Sequence, residues 1–384
     1  MARIVRTLPG HGTIPAGLPI IVDDAMAIVE PAFAFLFELA TIPGRSHAAE
    51  TIRTYGEHLH DWFDSLEQSR VDWRMVGEPE IAAWRNRMVA SPSPHTRRPY
   101  GRSTINDRMR TVCRFYRWAH QRGWLAELPF HFIDVRVGQR RQSMLGHLEV
   151  RPGIVAANVL TVPEHERLPR ALRVDQLRRL FARLAPPYDL MASWALATGM
   201  RRKELCALAV HQIPETAHLD AADHPLIGIG LTITKGGKAR TVYPPIRLLD
   251  ATHRHIDEVR GPLIRRLRRA HGSYQPPAAL FLNRHGMPVH RARFSAAMAR
   301  AFVAAGVVGT GHWLRHTFAM TMLARLQLQA RTTPEINPLK VVQTLLGHSS
   351  IVSTAIYLRC VEMHSAELEE SVAYLYGALI DDGR

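Results

Sequence analysis

Near its C-terminal end the chain reads LLGHSSIVSTAIY over residues 345–357. Gly347 predicts the end of one helix, because glycine readily adopts the left-handed backbone conformation that often follows a last helical turn. The two serines after His348 are natural caps for a following helix. The pattern therefore predicts that His348 lies in a turn and that Tyr357 lies two turns into the next helix. A tyrosine in such a place is typically a half-buried core aromatic.

Upstream of this turn, residues 312–318 read HWLRHTF. Apolar residues recur at four-residue steps from Leu314 and should face the core, whereas His312 and Arg315 are three apart and share another face of the helix. An imidazole and a guanidinium directed at one point suit a phosphate, since arginine binds two of its oxygens while histidine donates or shuttles a proton. The motif alone is equally compatible with a histidine at a helix N-terminus packed against a surface arginine.

Further upstream, residues 226–234 and 239–243 have the composition of two strands joined by a KGGK turn, which predicts a hairpin with glycine at its tip. Lys235, at the end of the first strand, could carry its ammonium group into a groove. There it could serve as a proton donor if neighbouring cations lower its pKa. Lys238 could take the same role, and a lysine in a turn is usually only solvated.

A fourth motif reads ATGMRRKEL over residues 197–205. Gly199 should end one helix, and a second should begin near Arg201. Three cations in a first helical turn oppose the helix dipole, which favours anions at that end. Such a break with a local rule is typical of functional sites, and a bound phosphate would compensate for it. The alternative is a surface turn with Arg201 in solvent.

The N-terminal half has helical periodicity, and no strand is predicted between residues 24 and 140. Helices are predicted over residues 25–40, 46–69, 78–90 and 104–122. From about residue 137 to 170 the periodicity is lost among glycines and prolines, which indicates an inter-domain linker.

Basic side chains in the loop before the last of these helices, and on the helix itself, indicate contact with phosphates, although a solvated basic face would have the same pattern. Two hairpin residues join them as candidates. The DNA-binding candidates are Arg97, Arg98, Arg102, Arg108, Arg114, Lys238 and Arg240.

The composition agrees with a polyanionic partner. The chain has 384 residues, with 49 Lys and Arg against 34 Asp and Glu, for a formal net charge of +15, and such a field attracts nucleic acid. A basic surface kept for solubility is the alternative.

The three cysteines include no C-x-x-C pair, which indicates a reducing compartment. The sequence has no run of 18 apolar residues, so no membrane-spanning segment is predicted. We therefore expect a cytoplasmic protein. No carboxylate cluster suited to paired metal ions is found, so no metal or ATP cofactor is expected.

Taken together, the four motifs closely resemble those of the tyrosine recombinase, or phage integrase, family: A-T-G-x-R-x-x-E-L, a hairpin lysine, H-x-L-R-H-T-F-A, and L-G-H followed nine residues later by tyrosine. The resemblance covers residues 173–359. A looser one, over residues 54–63 and 103–119, is to the helical domain with which family members clasp DNA.

The resemblance implies a mainly α fold with a small antiparallel β hairpin or sheet, built from a helical core-binding domain and a mixed α/β catalytic domain. We expect an N-terminal extension of unassigned role (1–23), the core-binding domain (24–140), a linker (141–170) and the catalytic domain with a C-terminal tail helix (171–384).

The resemblance also implies a set of site residues. Tyr357 is expected to be the nucleophile that forms a 3′-phosphotyrosyl link, and Lys235 to donate a proton to the departing 5′-oxygen. Arg201 and Arg315 are expected to bind the phosphate oxygens, with Glu204 as an orienting carboxylate. His312 and His348 are expected to bind the phosphate or assist proton transfer. With these cations nearby, the pKa of the Tyr357 phenol is expected to be lowered.

By the same resemblance the chain is expected to bind double-stranded DNA at specific sites, as a tetramer of four copies. An accessory recombinase or DNA-bending protein is a further expected partner. When bound to DNA, the chain is expected to be associated with the nucleoid. Two other functions are weighed against recombination. One is strand relaxation of the type IB topoisomerase kind, and the other is a DNA-binding structural or regulatory role without catalysis.

Overall fold

In the computed structural model the chain divides into two compact units, Met1–Glu166 and Arg167–Arg384. The structure describes residues 1–10, 12–42, 47–94, 96–137, 153–158, 160–164, 168–216, 227–232, 239–348 and 351–363. Within this part of the chain, every helix is too short or too polar to cross a bilayer.

The first unit is built on the four helices that the sequence predicts. They are α1 (Glu30–Thr41), α2 (Ala49–Ser69), α3 (Glu78–Ala90) and α4 (Arg102–Gln121), with a 3₁₀ turn at Trp73–Met75. Large aromatic rings fill the space between α2 and α4: Trp62 and Tyr116 are fully buried and pack edge to face, with ring centroids 6.2 Å apart. Offset and edge-to-face aromatic contacts of this kind add to the burial of apolar area.

Two hairpins in the first unit were not predicted. Strand β1 (Arg3–Arg6) pairs antiparallel with β2 (Pro19–Val22), and β3 (Phe132–Val137) pairs antiparallel with β4 (Gly153–Asn158). The prediction of no strand between residues 24 and 140 is therefore wrong at β3, and β4 falls inside the expected linker. The sequence FIDVRV does alternate apolar and polar residues, but its partner strand lies beyond a long insertion, so no short turn marked the pair.

The N-terminal hairpin packs against α2. Gly56 makes this close approach possible, since a Cβ atom there would lie 2.5 Å from the ring of Pro19. The backbone N–H of Ala2 donates to the carboxylate of Asp64 at 2.9 Å, and Ile21 is fully buried. The first residues of the chain thus belong to the hydrophobic core of the first unit.

The second unit is also mainly helical and contains one small hairpin. Its elements are α5 (Val174–Phe181), α6 (Tyr188–Thr198), α7 (Arg202–Ala207), β5 (Ile229–Leu231), β6 (Arg240–Val242), α8 (Ile246–Arg254), a π-helical segment (His255–Arg260), α9 (Gly261–Ala270), α10 (Arg291–Ala304), α11 (His312–Ala330), α12 (Pro338–Leu346) and α13 (Val352–Met363). Strands β5 and β6 are antiparallel, with Leu231 opposite Arg240. The mainly α fold with small antiparallel sheets is confirmed.

Helix α11 packs against α6, α12 and α13, and the C-terminal ends of α6 and α12 lie at Arg315 in its first turn. Both predicted helix ends are confirmed. Gly199 caps α6 with φ +63° and Gly347 caps α12 with φ +61°, the left-handed region in which a side chain is strained. A Cβ atom on Gly199 would also lie 2.5 Å from the ring of Phe318. These two turns bring the start of α7 and His348 to the side of α11.

Candidate active site

Arg315 lies at the centre of the site, on the first turn of α11. It is 2% exposed, and its guanidinium donates to the carbonyl of Gly199 and, at 2.9 Å, to the carbonyl of Leu346. Burial, together with the charges of Arg201 and Arg240, lowers the pKa of Arg315 to about 9. The side chain is still charged at neutral pH. It therefore fixes the C-terminal turns of α6 and α12 against α11.

His348 lies in the turn after α12, as predicted, and is held in one orientation. Its Nε2 atom is 3.0 Å from a guanidinium nitrogen of Arg315, and its Nδ1 atom is 2.9 Å from the hydroxyl of Thr354. Because a guanidinium can only donate, Nε2 must accept and the proton of the neutral ring must lie on Nδ1. Burial and the charge of Arg315 lower the pKa of His348 to about 4, so the ring is neutral at pH 7.

Glu204 supplies the negative charge that balances this group of cations. Its fully buried carboxylate accepts from the backbone N–H of Arg201 at 2.7 Å, from the Arg201 guanidinium at 3.1 Å and from the Arg240 guanidinium at 2.6 Å. Burial acts to raise the pKa of Glu204, but the hydrogen bonds and charges of the two arginines outweigh it and the pKa is lowered. Glu204 thus positions Arg201, whose side chain remains 22% exposed.

Arg240, one of the DNA-binding candidates, lies beside the Glu204 carboxylate and is almost fully buried. Its side chain is 6% exposed, and its guanidinium also donates to the carbonyl of Leu345. The side chain packs directly against Gly347, where an added Cβ atom would lie 2.5 Å from it. Strand β6 is thereby tied both to Glu204 and to the end of α12.

Tyr357 points into this cluster from α13. The residue is 3% exposed, its hydroxyl lies 3.0 Å from Nδ1 of His316, and its ring lies nearly parallel to that of His348 at 6.3 Å. Burial raises the pKa of Tyr357, while Arg315 and Arg201 act against the rise. The expectation of a lowered pKa is therefore wrong, because removal from water outweighs cations already bound to carbonyls and to Glu204.

Sequence reasoning gave no role to His316. It follows His312 by four residues on the same helix face, which was the available signal, and the two rings pack edge to face at 4.5 Å. Burial, His312 and Arg315 lower the pKa of His316 to about 4. His312 lies at the surface of the cluster, and the pKa of its ring is lowered by the atoms packed around it and by Arg315. The structure thus brings Arg201, Glu204, His312, Arg315, His348 and Tyr357 together.

Two predicted residues, Lys235 and Lys238, lie outside the described residues, as does the tail beyond Met363. Among the described residues, no group of three or more His, Cys, Asp or Glu side chains could hold a metal ion.

The N-terminal DNA-binding candidates have different surroundings. Arg97 and Arg98 are exposed. Arg102 is exposed and donates to the carbonyl of Pro163 at 2.9 Å, and Arg114 is exposed and donates to the hydroxyl of Tyr55 at 2.9 Å. Arg108 differs from the other four, since its side chain is 12% exposed and pairs with Asp61.

Comparison with known proteins gives consistent matches. Residues 170–364 match the phage integrase family, and residues 37–123 match its N-terminal SAM-like domain. The chain is 29% identical over 346 residues to tyrosine recombinase XerC of Roseiflexus sp. (strain RS-1), covering 87% of this chain and 90% of that protein. It is 25% identical over 318 residues to XerC of Halalkalibacterium halodurans, covering 82% and 88%.

Solved structures share the fold. The site-specific recombinase XerH, bound to a palindromic difH substrate after cleavage, superposes with a TM-score of 0.54 at 16% identity, covering 92% of this chain and 91% of that one. A lambda integrase dimer (residues 75–356) bound to a COC′ core site superposes with a TM-score of 0.53 at 15% identity, covering 85% and 94%.

Proposed function

The chain belongs to the phage integrase family and is a site-specific DNA recombinase, and we propose that Tyr357 is the nucleophile with which it cuts and rejoins DNA. The observation that carries the proposal is the position of the Tyr357 hydroxyl, within the cluster formed by Arg315, His348 and Arg201. The family match favours recombination over the topoisomerase-like and binding-only alternatives.

Cleavage of a phosphodiester needs a nucleophile, charge neutralisation on the non-bridging oxygens and a proton for the leaving oxygen. In the proposed reaction Tyr357 attacks the scissile phosphorus, and a 3′-phosphotyrosyl bond forms as the bond to the 5′-oxygen breaks. The bond energy is thereby kept for rejoining and not lost to water.

The cations have distinct proposed roles. Arg201, with its partly exposed side chain, and Arg315 bind the non-bridging oxygens, and His312 at the rim and His348 support the phosphate. Lys235 protonates the departing 5′-oxygen. Glu204 orients Arg201 and does not itself react, because both of its oxygens are taken up by arginines. Since Tyr357 and Arg315 are almost fully buried, DNA binding must open the cluster locally for a phosphate to reach them.

The first unit is proposed to bind the DNA backbone. Its match to the N-terminal SAM-like domain and the exposed side chains of Arg97, Arg98, Arg102 and Arg114 support this. The two DNA-bound proteins with the same fold support assembly of several copies on DNA. We propose a homotetramer on two duplexes in the cytoplasm, with an accessory recombinase or DNA-bending protein as a further partner and a mobile element as the setting.

A trapped covalent adduct tests the nucleophile. DNA would first be selected from a random-sequence pool by binding to the full chain, and then nicked at successive positions so that cleavage releases a short fragment and rejoining fails. We expect a protease-sensitive protein–DNA adduct, formed with a chelator present, and expect Tyr357→Phe to abolish it.

Tyr274→Phe is the matched control, since it removes a tyrosine hydroxyl that bonds the carbonyl of Gly286 elsewhere in the second unit. It should form the adduct like the wild type. An adduct that persisted in Tyr357→Phe would place the nucleophile elsewhere. If the wild type formed none on DNA that it binds, the protein would be a DNA-binding module without strand cleavage.

A further inference from the structure

The hydroxyl of Tyr357 has a single hydrogen-bond partner in the part of the chain that the structure describes. That partner is Nδ1 of His316, at 3.0 Å, with the two ring centroids 5.7 Å apart. A phenol is a stronger donor than an alcohol, and a neutral imidazole has one acceptor nitrogen. The geometry is therefore that of a hydroxyl group donating to a ring nitrogen that can take its proton.

The other histidines of the site do not fit this role. Both ring nitrogens of His348 are already bonded, Nε2 to Arg315 and Nδ1 to Thr354. His312 packs against the ring of His316 and has no hydrogen bond to Tyr357 among the described residues. A buried tyrosine is a poor nucleophile unless its proton leaves as the new bond forms, since burial disfavours the free phenolate.

We propose that His316 is a further catalytic residue, the general base that accepts the proton of Tyr357 during attack on DNA. The inference rests on the proposed function. In cleavage, the bond between the Tyr357 oxygen and phosphorus forms while the phenol proton moves to Nδ1 of His316. The bond from phosphorus to the 5′-oxygen breaks, and that oxygen takes a proton from Lys235. Rejoining reverses each transfer, so His316 returns the proton to Tyr357.

The charges around His316 agree with this role. The Nδ1 atom of His316 bonds the hydroxyl of Tyr357 on α13, and burial, His312 and Arg315 lower the pKa of the ring. They keep the imidazole neutral and able to accept in the absence of DNA. A phosphate anion entering the cluster favours the protonated ring, because an opposite charge nearby raises the pKa of histidine. Proton acceptance is thereby favoured when the substrate is in place.

The test is the rate of adduct formation by His316→Asn on the nicked, binding-selected DNA described above. Asparagine places a hydrogen-bonding atom near the position of Nδ1 but cannot take a proton. We expect the rate at pH 7 to fall roughly 10²–10⁴-fold, the usual contribution of a general base. The wild-type rate should level off near neutral pH. The variant's rate should rise about tenfold per pH unit, since hydroxide must then remove the proton.

His255→Asn is the matched control, because His255 is also a buried histidine of the second unit but lies against Phe281, on the π-helical segment. It should cleave DNA like the wild type. A DNA substrate with sulfur in place of the bridging 5′-oxygen gives a second measurement, since a thiolate leaves without a proton. It should restore cleavage by Lys235→Ala but not by His316→Asn.

The outcomes separate this inference from the function on which it rests. If the wild type forms the adduct and His316→Asn forms it at the same rate, or with the same pH profile, His316 is not the base and Tyr357 can still be the nucleophile. If His316→Asn formed the adduct faster than the wild type, the hydrogen bond would restrain Tyr357 and not activate it, and the proposal would be overturned. Absence of any wild-type adduct on bound DNA would overturn both.

Discussion

The arginines exposed on α4 of the first unit and the arginines buried around α11 of the second have opposite surroundings. On α4 of the first unit, Arg110 is 59% exposed and pairs with Asp107 one turn away, and Arg114 is exposed beside Tyr55. Around α11 of the second unit, Arg315 and the side chain of Arg240 are 2% and 6% exposed, and both donate to helix-end carbonyls. Exposed arginines attract any phosphate that comes near, whereas buried arginines fix the positions of other groups.

The difference explains why the two sets of residues were not equally visible in the sequence. A buried guanidinium that joins two helix ends requires a glycine at each end and a fixed spacing between motifs. Exposed arginines require only that their helix face be basic, a pattern that any solvated helix can have. Three predictions test how far this contrast holds.

The largest effect is expected from Arg315→Ala. It leaves the carbonyls of Gly199 and Leu346 without their donor, at about 1–3 kcal/mol each, and relief of repulsion with Arg201 and Arg240 offsets part of this. We expect the free energy of unfolding of the second unit to fall by about 2–4 kcal/mol and adduct formation to be lost. Fluorine-labelled Trp62 and Trp194, both fully buried in their own units, report on the two unfolding transitions separately.

Arg300→Ala is the matched control, because it removes the same charge from an exposed position on α10. We expect its effect on either transition to be within about 0.5 kcal/mol. If Arg315→Ala left the Trp194 transition unchanged, the guanidinium would not be what joins the ends of α6 and α12 to α11.

We expect an intermediate effect on stability when the pH is lowered. The pKa of His316 and that of His348 are lowered to about 4, mainly by burial, and in the first unit the same holds for His58. On unfolding, the pKa of each ring returns to about 6.5, so between about pH 4 and pH 6.5 the unfolded chain binds more protons than the folded chain. Stability is therefore full above pH 6.5 and is lost as the pH falls toward 4.

Burial also lowers the pKa of His255 and His312 in the second unit and of His47 in the first. More histidines with lowered pKa values thus lie in the second unit, within the described residues. We expect the urea midpoint of the Trp194 transition to fall more than that of Trp62 between pH 7 and pH 5. The opposite order would mean that the site histidines are free to bind protons in the folded chain.

Much of the fold could be predicted because the signals are local. The helix ends at Gly199 and Gly347 depend on backbone conformation, and the face shared by His312 and Arg315 depends on helical spacing. Hairpin β3–β4 could not be found in this way, because its strands are joined by a long insertion and no short turn links them.

Contacts between distant parts of the chain could not be predicted. Arg240 pairs with Glu204, which precedes it by 36 residues, and Arg108 pairs with Asp61, 47 residues away. The direction of the Tyr357 pKa shift depends on how deeply α13 buries the ring, which no motif specifies. His316 stood inside a recognised motif, yet only the position of α13 shows that it meets Tyr357.

The smallest effect is expected from Arg114→Ala on α4. Loss of one phosphate contact should reduce the salt dependence of DNA affinity by about one unit in the slope of log K against log[salt], and leave stability within about 0.5 kcal/mol. The adduct rate on saturated DNA should stay unchanged, since Arg114 belongs to the unit that does not contain Tyr357. Arg87→Ala, an exposed arginine on α3, removes the same charge away from α4. If both variants lowered the slope equally, the first unit would act through its net charge alone, and α4 would have no defined place on the DNA.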